Sequence, residues 1–135
     1  MSVGWKIELR VAPSFEEGFV ICISGATRPK DDDCFVWSER GQSSKLRSTD
    51  ELCSDAPLRI SRSEGSAIYE ALRQVSVAAA PPLVAGLDGT TYTLEVKAFF
   101  NAVTYRWWQH LPSGWAGLSP IVEQLARYAV PPPGA

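Results

Sequence analysis

Histidine, methionine and cysteine are scarce in this sequence, and it has no excess of positive charge. It contains one histidine, one methionine and three cysteines, Cys22, Cys34 and Cys53, whose spacing matches no zinc-binding pattern. Because their number is odd, we expect structural thiols in a reducing compartment rather than a disulfide framework. The formal net charge of −2 gives no overall basic field for nucleic acid or an anionic membrane.

Long apolar runs are also missing. The longest, residues 75–87, is interrupted by a serine, two prolines and a glycine, which argues against a membrane span. Residues 1–8 contain charges and no apolar run of signal-peptide length. With 45% hydrophobic and 21% charged residues in 135, the composition is typical of a globular domain. We therefore expect one domain, residues 1–135, in the cytoplasm.

Catalytic and metal-binding signatures are missing as well. No Gly-x-Ser-x-Gly, paired acidic or Cys/His motif accompanies His110. The run 31–33 of aspartates lacks the alternating ligands and final glutamate of a calcium loop and is interpreted as a solvated turn. We expect no enzymatic activity, metal or cofactor. An enzyme that uses His110 with Asp88 or a cysteine is the lowest-ranked hypothesis.

The first third of the chain predicts antiparallel strands. Residues 5–11 alternate apolar and charged side chains, the pattern of a strand with one buried face, and Pro13 ends it. Residues 18–24 are apolar on both faces, which predicts an interior strand, and residues 34–38 predict a third. Residues 38–57 are polar and are expected to form a long loop.

Two segments have helical patterns. Ser61 and Glu64 form the S-x-x-E signature of a capping box before apolar residues at helical spacing, which predicts a helix over residues 62–77. A second apolar stripe predicts a helix over residues 120–129, with Ser119 as its N-cap.

The clearest strand pattern is a β-hairpin formed by residues 87–98 and 102–110, which alternate apolar and polar side chains on either side of a Phe-Phe-Asn turn. Together these elements predict an α+β fold: a mainly antiparallel sheet of about five strands with two helices on one face. Residues 130–135 are expected to form an extended tail.

The hairpin also contains the predicted binding residues. Trp107 and Trp108 are adjacent in a strand and must point to opposite faces, so Trp107 is predicted to point inward with Val103 and Tyr105. Trp115 is predicted to lie in the core or to plug the end of the sheet. Tryptophan and arginine are enriched at binding hot spots. The predicted partner-binding residues on the other face are Trp108, Arg106, His110 and Lys97. The alternative is structural: Trp108 packs beneath Arg106 or Lys97, or the 38–57 loop covers it.

The series Leu87-Asp88-Gly89-Thr90-Thr91-Tyr92-Thr93-Leu94, followed by Asn101, Tyr105-Arg106-Trp107-Trp108, Pro112, Trp115 and Leu118, resembles a C-terminal module of small uncharacterised bacterial proteins. Some of these proteins look like immunity or antitoxin-type binding proteins. The resemblance covers residues 87–125. It implies an α+β fold and a bacterial cytoplasmic setting, and it carries over no catalytic residues.

These patterns favour a non-catalytic protein-binding module, immunity-like in that it would occlude a partner enzyme. The alternative is a single-stranded nucleic-acid-binding domain with Trp108 as a stacking platform. Its phosphate contacts would be Lys6, Arg10, Lys97 and Arg106. Glu8 and Glu95 on the same predicted face weaken that field, so nucleic acid is the less favoured partner. A homodimer through an edge strand, residues 5–11 or 103–110, stays open.

Overall fold

The computed structural model describes residues 4–15, 17–25, 33–41, 58–83, 86 and 88–128. In these residues six strands form one antiparallel sheet in the order β4-β3-β2-β1-β5-β6. The elements in chain order are β1 (Trp5–Pro13), β2 (Gly18–Gly25), β3 (Asp33–Gly41), β4 (Leu58–Ser61), α1 (Arg62–Arg73), β5 (Thr90–Ala98), β6 (Asn101–Trp108), a 3₁₀ helix (Ser113–Leu118) and α2 (Ser119–Ala126). The predicted α+β class is confirmed, with β4 as a strand that the prediction did not include.

Strand β1 lies inside the sheet and not at its edge. It pairs with β2 on one side and with β5 on the other, so residues 5–11 cannot offer a free edge for dimerisation and that part of the prediction was wrong. The interior position of β1 results from the crossover through α1. After this crossover the β5–β6 hairpin pairs with β1 and not with β4. In the described sheet, β6 is one of the two edge strands.

Both helices pack on one face of the sheet, which we call the helix face. Trp5 of β1 stacks on Tyr69 of α1, with ring centroids 5.0 Å apart and planes at 10°. Ile121 and Leu125 of α2 are buried in the same core. The opposite side is called the outer face. Burial of the core side chains contributes about 1.5–3 kcal/mol for each large aliphatic residue and fixes which face the helices cover.

Strand β2 is buried on both faces, as its two-sided apolar sequence predicts. Ile21 and Ile23 face the helices, whereas Val20, Cys22 and Ser24 are buried on the outer face. Cys34 of the neighbouring strand is buried on the helix face. Because Cys22 and Cys34 point to opposite faces, they cannot bridge one another.

Helix α1 begins as predicted and ends early. The Ser61 hydroxyl accepts a hydrogen bond from the Glu64 backbone N–H at 3.1 Å, which confirms this half of the capping box. The helix stops at Arg73 and not at residue 77. Beyond it, the Ala78 N–H donates to the Gly114 carbonyl at 2.9 Å, so the chain bonds the 3₁₀ helix instead of continuing α1.

Helix α2 begins directly after the 3₁₀ helix. Ser119 was predicted as the N-cap, and this prediction was wrong: Leu118 holds that position and no side chain caps the helix. The preceding 3₁₀ turn places Ser119 in helical geometry, which an N-cap residue does not adopt. The helix ends at Ala126, three residues before the predicted end.

Several predictions fall partly or wholly outside the described residues. Residues 39–41, predicted as loop, belong to β3, and residues 42–57 lie outside the described ranges together with Cys53. The predicted tail, residues 130–135, and the turn aspartates 31 and 32 also lie outside them. Neither described helix is long and apolar enough to cross a bilayer.

Candidate functional site

The register of β5 and β6 places Trp107 and Trp108 on opposite faces of the sheet. Trp107 pairs with Tyr92 and stacks on its ring on the helix face, with centroids 5.4 Å apart and planes at 4°. Trp108 pairs with Thr91 and lies on the outer face. Trp115 is buried, packs edge-on against Tyr105 and donates from Nε1 to the Ala78 carbonyl at 2.9 Å. The predicted orientations of these three tryptophans are confirmed.

Two glycines lie against the Trp108 indole, which is half-buried. A Cβ at Gly86 would be 2.2 Å from ring carbon Cε2, and a Cβ at Gly89 would be 2.8 Å from Nε1. Only backbone without a side chain can approach the ring this closely. The ring is therefore packed against the segment before β5. The loop of the structural alternative lies outside the described residues from residue 42 to residue 57.

A cleft of about 460 Å³ opens beside this indole, at the end of β6. We call it the Trp108 cleft. Its walls are mostly rings: Trp107, Trp108, His110, Pro81, Pro82 and Pro112. Thr91 and Arg106 supply its polar groups. Its volume lies within the range of small-molecule sites, roughly 300–1,000 Å³.

Three of the four predicted site residues meet at the Trp108 cleft. Trp108, Arg106 and His110 line it, although His110 lies beyond the end of β6 and not within the strand as predicted. The chain turns at Gln109, whose φ is +62°, and the His110 N–H donates back to the Trp108 carbonyl at 2.7 Å. This tight turn redirects His110 to the rim of the cleft.

Lys97 lies at the other end of the hairpin. It pairs with Ala102, six residues along β5 from Thr91, which corresponds to about 20 Å. Its ammonium is 3.5 Å from the Glu95 carboxylate. The structure therefore separates Lys97 from the other three predicted residues.

The hairpin turn presents a surface that the sequence prediction missed. Phe99 and Phe100 form the turn and are 67% and 103% exposed, and Val103 is 43% exposed two residues into β6. We call these three residues the hairpin patch. The signal was present in the sequence, because two-residue hairpin turns are normally built from Gly, Asn or Asp and two phenylalanines break that rule.

An apolar groove of about 190 Å³ adjoins the hairpin patch on the helix face. It lies between α1 and β6 and is lined mainly by Tyr69, Leu72, Val75, Val96, Val103 and Tyr105. Arg73 stands at the groove and bonds the Glu70 carboxylate at 2.9 Å. The groove and the hairpin patch share Val103 and so form one continuous apolar surface.

The first half of β6 is open to solvent on both faces. Residues 101–104 are all exposed, including Ala102 and Thr104 on the outer face. No described strand pairs with the far side of β6. A strand edge of this kind offers backbone N–H and C=O groups to another chain.

Charges on the outer face largely pair within their own strands. Arg10 bonds Glu8 at 3.0 Å in β1, and Lys97 lies beside Glu95 in β5. Both carboxylates share the outer face with the cations, as the sequence predicts. This pairing lowers the positive field that a phosphate backbone would need.

Among the described residues, His110 and two cysteines are the side chains to consider for catalysis or soft-metal binding. His110 is exposed, and no side-chain hydrogen bond joins it to a carboxylate or thiol there. Cys22 and Cys34 are buried in the sheet, away from the Trp108 cleft. No group of three or more potential metal ligands occurs in this part of the chain.

The sequence and fold were compared with known proteins. No protein-family model, no curated protein and no solved structure matches the chain.

Proposed function

We propose that this protein is a non-catalytic protein-binding module that docks its partner on the hairpin patch and the adjoining edge of β6. The observation that supports it best is the aromatic pair Phe99–Phe100 at the tip of the β5–β6 hairpin, exposed to solvent. Phe99 has a φ of +54°, in the region that favours glycine, at a cost of about 1–3 kcal/mol. Two exposed phenylalanines suit neither the geometry of this turn nor solubility, so a functional reason for them is expected.

The partner segment that this surface suits is an extended strand with apolar side chains at alternate positions. Such a strand would pair with the open backbone of residues 101–105 and extend the sheet. Every second side chain would then fall on the helix face, where the apolar groove adjoins Val103. Backbone pairing would supply affinity and the groove would supply specificity. Phe99 and Phe100 would pack on the partner beyond the paired strand.

The immunity-like role belongs to this proposal. The sequence resemblance implies a bacterial cytoplasmic setting, and some of the proteins that the chain resembles look like immunity proteins. A projecting apolar hairpin is a suitable shape for covering the concave site of a partner enzyme. The nucleic-acid alternative gains no comparable support, because Arg10 and Lys97 lie beside carboxylates on the outer face.

Site-specific photo-crosslinking in the native cell tests the proposal. A benzophenone amino acid would replace Phe100 in one protein and Phe15 in a control. Phe15 is also a highly exposed phenylalanine, at 84%, but it follows β1, away from the hairpin patch. We expect a discrete crosslinked protein from position 100 and none from position 15. That protein, once identified and purified, should bind the wild-type chain with a defined stoichiometry.

Two variants separate the docking surface from the fold. Phe99→Gly/Phe100→Ser keeps the turn geometry and removes the aromatic pair, whereas Val103→Lys adds a charge at the strand edge. Both should abolish binding of the purified partner without lowering stability. Undiminished binding by both variants would refute the proposal, as would equal crosslinking from positions 100 and 15.

Two further outcomes would replace the partner protein with another occupant. If position 100 crosslinks to a second copy of this chain and light scattering gives a dimer, β6 is a homodimer edge. If wild type floats with lipid vesicles and Phe99→Gly/Phe100→Ser does not, the hairpin patch binds a membrane. Either result would overturn the proposal of a foreign protein partner.

A further inference from the structure

We propose that the Trp108 cleft is a second binding site, specific for a small aromatic carboxylate. It is independent of the proposed protein-binding function, because Trp108 is seven residues along β6 from Asn101, about 24 Å from the hairpin turn. The walls of the cleft and its charge both favour such a ligand.

The walls favour a flat apolar ring. The half-buried Trp108 indole lies beside Pro81, Pro82 and Pro112, and Gly86 packs against one edge of the indole. Aromatic rings pack well against indole and proline, and each offset or edge-on aromatic pair gains stabilisation beyond simple burial. A flexible aliphatic chain would lose more conformational entropy in the same space.

The charge of the cleft favours an anion. Arg106 is exposed, and no ion pair or hydrogen bond joins its guanidinium to another described side chain. None of the described residues that line the cleft is acidic. Guanidinium binds carboxylate through two parallel hydrogen bonds, and the Thr91 hydroxyl at the same cleft can donate another. The preferred ligand therefore carries its carboxylate a short distance from its ring.

The rim residue His110 adds to this preference. Its ring lies at the cleft with no described side-chain partner, so it can donate a hydrogen bond to an anion that Arg106 also contacts. Thus three of the four residues predicted from the sequence to bind a partner converge on one ligand: Trp108 would contact the ring, and Arg106 and His110 would contact the carboxylate.

The test uses 3-phenylpropanoate as the probe and 3-phenylpropanamide as its uncharged match. Amide correlation NMR spectra resolve the indole N–H groups of the five tryptophans. We expect the carboxylate to shift the Trp108 signal in a saturable manner. The Trp115 signal, whose N–H is held by the Ala78 carbonyl, should stay in place. The amide should bind at least about tenfold more weakly, as expected for loss of a charge-assisted hydrogen bond.

Two charge-removing variants complete the test. Arg106→Gln should weaken carboxylate binding about tenfold or more, while Lys97→Gln, at the far end of the same sheet face, should leave it unchanged. A well-dispersed spectrum establishes that each variant is folded. The inference is overturned if the Trp108 signal does not move at about 10 mM probe, if the amide binds equally well, or if both variants weaken binding alike. Neither variant changes the hairpin patch, so loss of partner binding and loss of ligand binding are separate results.

Discussion

Trp107 and Trp108 are neighbours in β6, and their indole rings lie on opposite faces of the sheet. Trp107 stacks on Tyr92 in the core, whereas Trp108 rests against Gly86 beside an open cleft. The pleat of the strand is sufficient to create this division. One ring stabilises the fold, and the other can contribute to stability and still present part of its surface to a ligand.

Fluorescence quenching should distinguish these two rings. We expect the fraction of tryptophan fluorescence that acrylamide can quench to fall in Trp108→Phe. In Trp107→Phe this fraction should stay level or rise, because that variant loses a buried emitter. The reason is that Trp5, Trp107 and Trp115 are buried, while Trp108 is half-buried at the cleft. Trp37 is present in all three proteins, so it cannot be the source of a difference in direction between the two variants. If the accessible fraction falls in Trp107→Phe instead, the assignment of faces is wrong.

The contact between Gly65 and Cys34 limits how helix α1 can be changed. A Cβ at Gly65 would lie 2.4 Å from the Cys34 sulfur, which is itself buried. Replacing a helical glycine by alanine normally gains up to about 1 kcal/mol. Here overpacking costs about 1–3 kcal/mol, which outweighs that gain, so Gly65→Ala should lower the free energy of unfolding by up to about 2 kcal/mol.

Urea denaturation measures this effect, with Ser66→Ala as the control at the next position of α1. We expect Ser66→Ala to be neutral or stabilising by about 0.5 kcal/mol, because alanine is the better helix former. A gain in stability for Gly65→Ala would contradict the close packing of α1 on β3.

Local patterns in the sequence were enough to predict the faces of the hairpin. The alternation in residues 102–108 correctly assigned Trp107 to the core and Trp108 to the outer face, because strand periodicity depends only on neighbouring residues. The Ser61 cap was predictable for the same reason. The Ser119 cap was not, since the 3₁₀ turn before it depends on tertiary bonds at Gly114 and Trp115.

The composition of the candidate site was harder to predict. Gly86 contacts the Trp108 ring from a segment without regular secondary structure, and no local sequence pattern predicts that contact. Strand order also depends on residues that are distant in the sequence. The sequence of β1 is compatible with an edge or an interior position, and its pairing with β5 makes it an interior strand. Lys97 was grouped with Trp108 because they share a face, although the register sets them about 20 Å apart.

Gln109 closes the ends of β5 and β6 in a strained conformation. Its φ is +62°, and its side-chain oxygen accepts a hydrogen bond from the Thr90 N–H at 2.6 Å. Gln109→Ala loses this bond and keeps the strain, so we expect a loss of about 1 kcal/mol. Gln109→Gly loses the same bond but relieves about 1 kcal/mol of backbone strain, and its stability should be close to wild type.

Thermal unfolding of the two Gln109 variants tests the contribution of the side-chain hydrogen bond and the cost of the positive φ. The expected order of melting temperature is wild type and Gln109→Gly together, with Gln109→Ala below them. If alanine equals wild type, the side-chain bond contributes nothing. If glycine falls below alanine, the positive φ is not a source of strain.

Tyr128 follows α2 and donates a hydrogen bond from its hydroxyl to the Glu64 carboxylate at the start of α1. Burial of the hydroxyl, followed by its bond to Glu64 and the nearby negative charge, raises the pKa of Tyr128 to about 12. In the unfolded chain this pKa is about 10, so the folded protein holds the proton more tightly. The resulting stabilisation is complete below about pH 10 and is lost as the pH rises towards about 12.

Urea midpoints measured from about pH 9 to about pH 11 should therefore fall more steeply for wild type than for Tyr128→Phe. The slope for Glu64→Gln should be intermediate, because burial still raises the pKa of Tyr128 when the carboxylate is gone. Glu70→Gln, an exposed change on the same helix, should keep the wild-type slope. Identical slopes for wild type and Tyr128→Phe would mean that this contact between the two helices does not hold the tyrosine proton.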